Sequence, residues 1–206
     1  MNKCTTETKP KSYILSEWGM LTKPILIFIA GKSGTGKDTV SDLLYRYFKD
    51  DNKSFVVRIY SFATELKSIA YNIGWDGFKF DKGRKLLQDI GTIGRSYDPD
   101  LWAKKEYSRF EREPISPDII IFNDWRYLNE LEFFKSQKDI GVIFTIRVVA
   151  PNREFLDGTK ESTHESECAL DNYLGFDYIV DNSGEMGETK IQCEIISEKI
   201  IKSLGG

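Results

Sequence analysis

Apolar residues form five short runs that alternate with stretches of helical periodicity. The runs lie at residues 25–30, 55–60, 119–122, 142–149 and 178–180. The first run is apolar at every position, which suits a central strand covered on both faces. Between the runs, apolar residues recur at helical spacing, as at Val40, Leu43 and Leu44, and this spacing predicts helices. Strands that alternate with helices predict an α/β protein of three layers with a five-stranded parallel sheet.

The interval between the second and third strands departs from this alternation. From residue 64 to residue 112 the apolar pattern is helical throughout, for example at Leu66, Ile69 and Ile73. We expect a helical insertion that caps one end of the sheet. The chain then divides into an arm at residues 1–23 and a domain at residues 24–206, in which the polar connection at 150–164 has the length of a lid. Docking of residues 13–18 on a second copy would make the protein a homodimer.

Composition narrows the possible functions. The 206 residues carry 29 Lys and Arg against 32 Asp and Glu, a formal net charge of -3, which disfavours a protein that coats nucleic acid or an anionic membrane. The cysteines Cys4, Cys168 and Cys193 form no C-x-x-C pair, so neither zinc nor a disulfide framework is indicated. The amino terminus lacks the apolar core of a signal peptide. We therefore expect a cytoplasmic protein that acts on small molecules.

The strongest motif is GKSGTGKDT at residues 31–39, directly after the first strand and before a helical pattern. Its glycines let consecutive backbone N–H groups turn inward and hold phosphate oxygens. Lys37 would reach the β- and γ-phosphates of a nucleotide. The general pattern has Ser or Thr after this lysine, whereas this chain has Asp38, a carboxylate that can serve a hard cation directly or through water. The alternative is a glycine-rich turn that only caps a helix.

The rest of the chain indicates which kind of phosphate-loop protein this is. A D-x-x-G match at residues 181–184 follows the last strand, the wrong place for a GTPase switch, and no N-K-x-D element accompanies it. The third strand leads into Asp124 and then Arg126, without the acidic pair of a motor or helicase. Ligands gather at the carboxyl ends of parallel strands, and Arg suits a bidentate phosphate contact, so Arg126 indicates a phosphorylated acceptor. A salt bridge to Glu130, one helical turn on, is the alternative.

Several motifs occur in the order of a known family. They lie at residues 31–39, 61–67, 84–88, 91–95, 102, 123–130 and 164–167. With these motifs the chain resembles the deoxynucleoside monophosphate kinases of tailed bacteriophages, over about residues 24 to 185. Asp38 after the loop lysine is part of that family's pattern. The resemblance implies the three-layer P-loop NTPase fold and transfer of a phosphoryl group from ATP to a dNMP in the cytoplasm, that of the host if a phage encodes the chain.

The resemblance also implies roles for individual residues. ATP would contact Gly31, Ser33, Gly34, Thr35, Gly36, Lys37, Asp38 and Thr39, with Mg²⁺ at Asp38 and Asp124. The acceptor would contact Lys67, Arg84, Gln88, Arg95, Trp102, Arg126, His164 and Glu167. Catalysis would rest on Lys37, Asp124, Arg126 and Arg153.

Some of these roles have alternatives in the sequence. Arg147, just before the lid connection, and Arg153, within it, are its candidate phosphate-facing charges, and Arg147 would contact the acceptor. Trp102 either stacks on a base or belongs to the core, and Asn182 either borders the adenine or lies in a plain turn. His164 is expected to contact substrate or to have a structural role, because a dNMP phosphate is already ionised near neutral pH and needs no base. Dephospho-coenzyme A kinase and a non-catalytic ATP-binding regulator are the rival functions.

Overall fold

The computed structural model describes residues 23–50, 55–79, 81–151 and 164–204. Within these ranges the strands are β1 (Ile25–Ala30), β2 (Val57–Tyr60), β3 (Ile119–Trp125), β4 (Val142–Val149) and β5 (Tyr178–Asp181). The helices are α1 (Lys37–Asp50), α2 (Ala63–Asn72), α3 (Asp81–Tyr97), α4 (Leu101–Glu111), α5 (Leu128–Ser136), α6 (Glu165–Cys168) and α7 (Met186–Lys202). None of these helices has the length and apolar character needed to cross a bilayer.

The five strands form one sheet in the order β2-β3-β1-β4-β5. Every neighbouring pair is parallel, and β1 is buried at all six positions. The prediction of an α/β fold with a five-stranded parallel sheet is therefore confirmed. Because the strands run in one direction, the loops that follow β1, β3 and β4 meet at the same edge of the sheet, where ligands bind in such folds.

Alternate residues of β1 supply the two halves of the hydrophobic core. Ile25, Ile27 and Ile29 pack with the apolar faces of α1 and α7 on one side of the sheet. Leu26 and Phe28 pack on the other side, where an aromatic cluster joins the sheet to α4 and α5. This division explains the uninterrupted apolar run in the sequence, since a strand covered on both faces has no solvent-facing position.

The interval between β2 and β3 contains the helices α2, α3 and α4 and no strand among its described residues. α2 begins directly beyond the end of β2, so the three helices start at the ligand-binding edge of the sheet. The arm at 1–22 and the lid residues 152–163, Arg153 among them, lie outside the described residues.

An irregularity in β3 shapes this edge. Phe28 pairs with Phe122, but Ala30 pairs with Trp125, so three steps along β3 oppose two along β1. A bulge of this kind turns side chains away from strict alternation. As a result the consecutive residues Asn123 and Asp124 line the same cavity, which a regular strand would not allow. The sequence pattern did not indicate this, because the apolar run ends at Phe122.

Candidate active site

The phosphate loop between β1 and α1 is held in place from behind. Gly34 and Gly36 have φ angles of +81° and +90°, the region that glycine occupies without strain. A Cβ on Gly36 would lie 2.1 Å from Nδ2 of Asn182. That amide donates to the carbonyl of Thr35 at 2.9 Å and accepts from the hydroxyl of Thr189 at 2.8 Å. Asn182 is buried and supports the loop directly, a contact that neither sequence interpretation foresaw.

Lys37 is the first residue of α1, and its ammonium group turns back over the loop. It donates to the carbonyls of Gly31 at 2.6 Å and Lys32 at 2.8 Å. Burial, and next the nearby charge of Arg126, lower the pKa of Lys37 to about 8. An ammonium that is desolvated beside a second cation is stabilised when an anion enters. The position and the lowered pKa therefore both suit a phosphate site.

The two carboxylates predicted to bind Mg²⁺ differ in the number of hydrogen bonds that they accept from the protein. Asp124 Oδ1 accepts from Phe62 N at 2.8 Å, and Oδ2 accepts from Ser61 Oγ at 2.6 Å and Ala63 N at 3.1 Å. Asp124 thus ties the start of α2 to the end of β3. Asp38 is exposed and accepts only from Asn123 Nδ2, at 3.1 Å, among the described residues.

The donor set at Asp38 fits a magnesium ion. The side-chain oxygen of Asn123 is buried and has no hydrogen-bond partner among the described residues, and it lies beside the Asp38 carboxylate that its amide contacts. Mg²⁺ typically binds one or two protein oxygens and completes its shell with water and substrate phosphates. The described residues contain no cluster of three or more His, Cys, Asp or Glu that could enclose a metal by themselves. Asp38 and Asn123 would hold the ion, and Asp124, which lines the same cavity, stays a predicted ligand.

Arg126 is positioned by its backbone and paired through its side chain. Its N–H donates to Glu130 Oε2 at 2.9 Å, and the N–H of Tyr127 donates to the same oxygen at 3.1 Å, which caps the start of α5. The guanidinium group donates to Glu167 Oε1 at 2.5 Å and to the carbonyl of Ser166 at 3.1 Å. The salt bridge between the Arg126 and Glu130 side chains, the alternative from the sequence, is not formed.

One cavity of about 340 Å³ joins the phosphate loop to the insertion helices. Lys37, at the end of the phosphate loop, and Arg126, directly after β3, both line this cavity. The other predicted acceptor residues on its wall are Lys67, Arg84, Gln88, Arg95, Trp102, His164 and Glu167. Among the loop residues, Ser33, Gly34 and Asp38 reach it, whereas Thr39 lies in the first turn of α1 and is not part of the wall.

The cationic side chains of the acceptor side differ in the contacts that they make with the rest of the protein. Arg84 donates to the hydroxyl of Ser33 at 3.2 Å, which links α3 to the phosphate loop. The guanidinium of Arg95 lies over the Tyr127 ring at 4.1 Å. Lys67 and Lys79 make no hydrogen bond or ion pair with other described residues, and burial and then the charge of Lys67 lower the pKa of Lys79. Two like charges thus face the same cavity, and the opposite charges that act on Lys79 are the nearby carboxylates of Asp38 and Asp124.

Trp102, Arg147 and His164, three residues predicted to contact the acceptor, all make contacts within the protein. The Trp102 indole is buried, donates to the Gly91 carbonyl at 3.1 Å and fills the space beside Gly94. Arg147 lies outside the main cavity and donates to the Leu170 carbonyl at 2.7 Å. His164 caps α6 by accepting from the N–H of Ser166 at 3.2 Å.

Sequence reasoning assigned no role to ten residues of the cavity wall, and four of them have side chains that bear on the chemistry of the site. They are Ser61, Lys79, Asn123 and Tyr127. Lys79 lies between α2 and α3, where the helical pattern gives no signal. Tyr127 follows Arg126 directly and could have been noticed, because an aromatic residue beside a ligand-binding strand end is available for stacking.

No model of a known protein family matches the chain. It is 25% identical over 167 residues to the uridine kinase of Clostridium novyi (strain NT), an alignment that spans 75% of this chain and 78% of that protein. A solved structure described as the crystal structure of APE1195 superposes with a TM-score of 0.50 at 13% identity, over 88% of this chain and 99% of that one. Shikimate kinase from Acinetobacter baumannii in complex with shikimate gives a TM-score of 0.44 at 13% identity, over 88% and 92% of the two chains. The kinase relative and the loop at residues 31–39 together indicate a P-loop kinase fold.

Proposed function

We propose that the protein transfers the γ-phosphoryl group of ATP to the phosphate of a deoxynucleoside monophosphate. The observation that carries this proposal is the single cavity shared by Lys37 and by the cations of the acceptor side, Lys67, Arg84 and Arg126. The kinase relative supports the reaction type. The resemblance of the motifs to phage deoxynucleoside monophosphate kinases supports the choice of acceptor.

The charge of the cavity favours an acceptor that carries phosphate. Six cationic side chains line it, Lys37, Lys67, Lys79, Arg84, Arg95 and Arg126, against the three carboxylates of Asp38, Asp124 and Glu167. A nucleoside monophosphate brings nearly two negative charges of its own, by analogy with other phosphate monoesters. A neutral nucleoside would leave Lys67 and Lys79, whose charges repel each other, without an ion pair to any other described residue. A phosphorylated acceptor therefore matches the observed excess of three positive charges.

The other walls of the cavity suit a nucleobase. Leu66, Leu87 and the edge of Trp102 provide apolar surface, and Gln88 provides an amide that can donate and accept hydrogen bonds. Tyr127 adds an aromatic ring beneath Arg95. Apolar walls with a few polar groups are the usual composition of a small-molecule site.

The transfer requires positioning and charge neutralisation more than proton transfer. Backbone N–H groups of the loop and the Lys37 ammonium would bind the ATP phosphates, while Arg126 would hold the acceptor phosphate opposite them. The acceptor oxygen is ionised near neutral pH, so no side chain has to remove a proton. Magnesium, held by Asp38 and Asn123, would supply charge neutralisation on the nucleotide phosphates. Asp124 would keep α2, and with it Lys67, at the correct distance.

Phosphorylation of a nucleoside is the second candidate function. It is favoured by the 25% identity to a uridine kinase over 167 residues. With a neutral nucleoside as acceptor, only the phosphates of ATP would neutralise the excess positive charge of the cavity.

A panel of acceptors tests the proposal. The full chain is incubated with Mg-ATP and, in turn, each common dNMP, NMP and nucleoside, shikimate and dephospho-coenzyme A, and acceptor-dependent ADP release is measured. We expect release with at least one nucleoside monophosphate at kcat/KM above about 10⁴ M⁻¹s⁻¹, a usual value for enzymes. Release with nucleosides alone would support the second candidate, and ATP binding without any release would indicate a regulatory protein.

A further inference from the structure

A carboxylate of the protein itself lies at the phosphate loop. Glu167 Oε2 accepts from the backbone N–H of Ser33 at 2.6 Å, and Glu167 Oε1 accepts from Arg126 at 2.5 Å. The Glu167 side chain is only 8% exposed. The N–H of Ser33 belongs to the loop whose amides hold phosphate oxygens in proteins of this fold. The two groups that would face the transferred phosphoryl, a loop amide and Arg126, are therefore both bound to an internal anion.

Further contacts hold the same stretch of chain against the loop. The carbonyl of Ser166 accepts from Arg126 at 3.1 Å. Asp171 pairs with Lys32 of the loop at 3.2 Å and with Arg147 at 3.0 Å. We call residues 164–171 the acidic segment, since Glu165, Glu167 and Asp171 all belong to it. Three cations at the mouth of the site thus share two carboxylates of this segment.

We propose that Glu167 is an internal counter-anion of the phosphate site, which the nucleotide polyphosphate must displace before the enzyme can act. The inference rests on the proposed function, because it takes the loop and Lys37 to bind nucleotide phosphates. A carboxylate and a phosphate oxygen use the same donors, so the two compete for Ser33 N–H. Displacement of Glu167 also frees the Arg126 guanidinium, which can then grip the acceptor phosphate. Binding of the nucleotide would in this way prepare the acceptor site.

Direct binding of a bare polyphosphate tests the inference apart from catalysis. Isothermal titration calorimetry of sodium tripolyphosphate, without metal, is carried out on the full-length wild type and on Glu167→Ala and Glu167→Gln. Charge-assisted hydrogen bonds are strong, so loss of the competing carboxylate should lower the Kd about tenfold or more in Glu167→Ala, and about threefold in Glu167→Gln. The matched control is Glu165→Gln, which removes the same charge from an exposed position on α6 and should change the Kd less than about twofold at 0.15 M salt.

The outcomes separate this inference from the proposed function. Equal or weaker binding in both Glu167 variants, with a wild type that still binds ATP and releases ADP, would overturn the counter-anion and leave the kinase proposal standing. No binding of tripolyphosphate or ATP by any variant would overturn both. An equal gain in Glu165→Gln would also overturn the inference, because it would show a general charge effect. If Glu167→Ala does not fold by circular dichroism, the isosteric Glu167→Gln variant decides.

Discussion

The phosphate-loop side and the acceptor side of the cavity both carry positive charge, but they differ in how that charge is held. On the loop side, Lys37 donates to two loop carbonyls and Asn182 braces the loop from behind. On the acceptor side, Lys67 and Lys79 point at the same cavity without a hydrogen bond or ion pair to other described residues. The loop side has internal hydrogen-bond partners before any ligand arrives, Glu167 among them, whereas Lys67 and Lys79 have none among the described residues.

This difference separates the general part of the site from the specific part. A phosphate loop fixed by the backbone binds the portion that all nucleoside triphosphates share. Cations on separate helices, set apart by the lengths of α2 and α3, match one acceptor and reject others. The two sides meet at Asp124, whose carboxylate ties the start of α2 to β3, the strand that leads directly into Arg126.

The loop side should show the largest effect of any single substitution. Lys37→Ala removes the charge that faces the transferred phosphoryl group, so we expect kcat to fall by about 10³-fold or more. The measurement is ADP release at saturating ATP and acceptor, with circular dichroism to verify the fold. Lys32→Ala is the matched control on the same loop, because Lys32 is exposed and pairs with Asp171; we expect less than about a threefold change. A Lys37→Ala enzyme with near-normal rate would show that the loop is not the catalytic half.

Arg126 lies between the two sides, and its substitution should cause the second-largest loss of activity. Arg126→Ala should lower kcat/KM for the acceptor by about 10²- to 10³-fold, because an arginine on the acceptor phosphate stabilises charge in the transition state. Steady-state kinetics at varied acceptor concentration gives the value. Arg126→Lys is the comparison, since it keeps the charge and loses the bidentate fork. A loss below about tenfold in Arg126→Ala would assign the residue to its ion pair with Glu167 instead.

Lys67 should have a smaller effect that is confined to the acceptor. Lys67→Ala should raise KM for the monophosphate by about 10- to 100-fold and leave KM for ATP within about twofold, because one charged contact to phosphate is lost. Initial rates with each substrate varied in turn provide both constants. Lys82→Ala, an exposed lysine at the start of α3 outside the cavity wall, is the matched control and should match the wild type. An equal rise in both KM values would contradict the division of the site into two halves.

The smallest expected effect is the change with pH in kcat/KM for ATP, which reports the charge of the loop side. The lowered pKa of Lys37, about 8, means that the free enzyme loses the loop charge as pH rises through that value. Below pH 8 the ammonium is protonated and can bind phosphate. We therefore expect kcat/KM for ATP to fall by about tenfold between pH 7 and pH 9. A profile that stays flat to pH 10 would contradict the buried position of the ammonium group.

The fold was predictable because its signal is local and strong. The five apolar runs and the helical periods specified the parallel sheet, and the strand-loop-helix context of residues 31–39 located the phosphate loop. The number of layers followed from β1, since a strand apolar at every position must be covered on both faces.

The contacts of the site were less predictable because they depend on side chains brought together from distant parts of the chain. Arg126 was foreseen near a phosphate, but its pairing with Glu167, 41 residues on, has no local pattern. The engagement of Asp124 with α2 depends on the β3 bulge, which periodicity does not reveal. Lys79 was missed because only the packing of α2 against α3 brings it to the cavity.

One ratio tests most directly whether the acceptor side is built for a phosphate. The kcat/KM for deoxythymidine monophosphate, or for the preferred base found in the panel, is divided by that for the corresponding nucleoside, in the wild type and in Arg126→Ala. We expect the wild type to prefer the monophosphate by about 10³-fold or more, and Arg126→Ala to lose most of that preference. A wild type that uses the nucleoside as well as the monophosphate, with no change in the ratio on loss of Arg126, would contradict a phosphate-binding acceptor half.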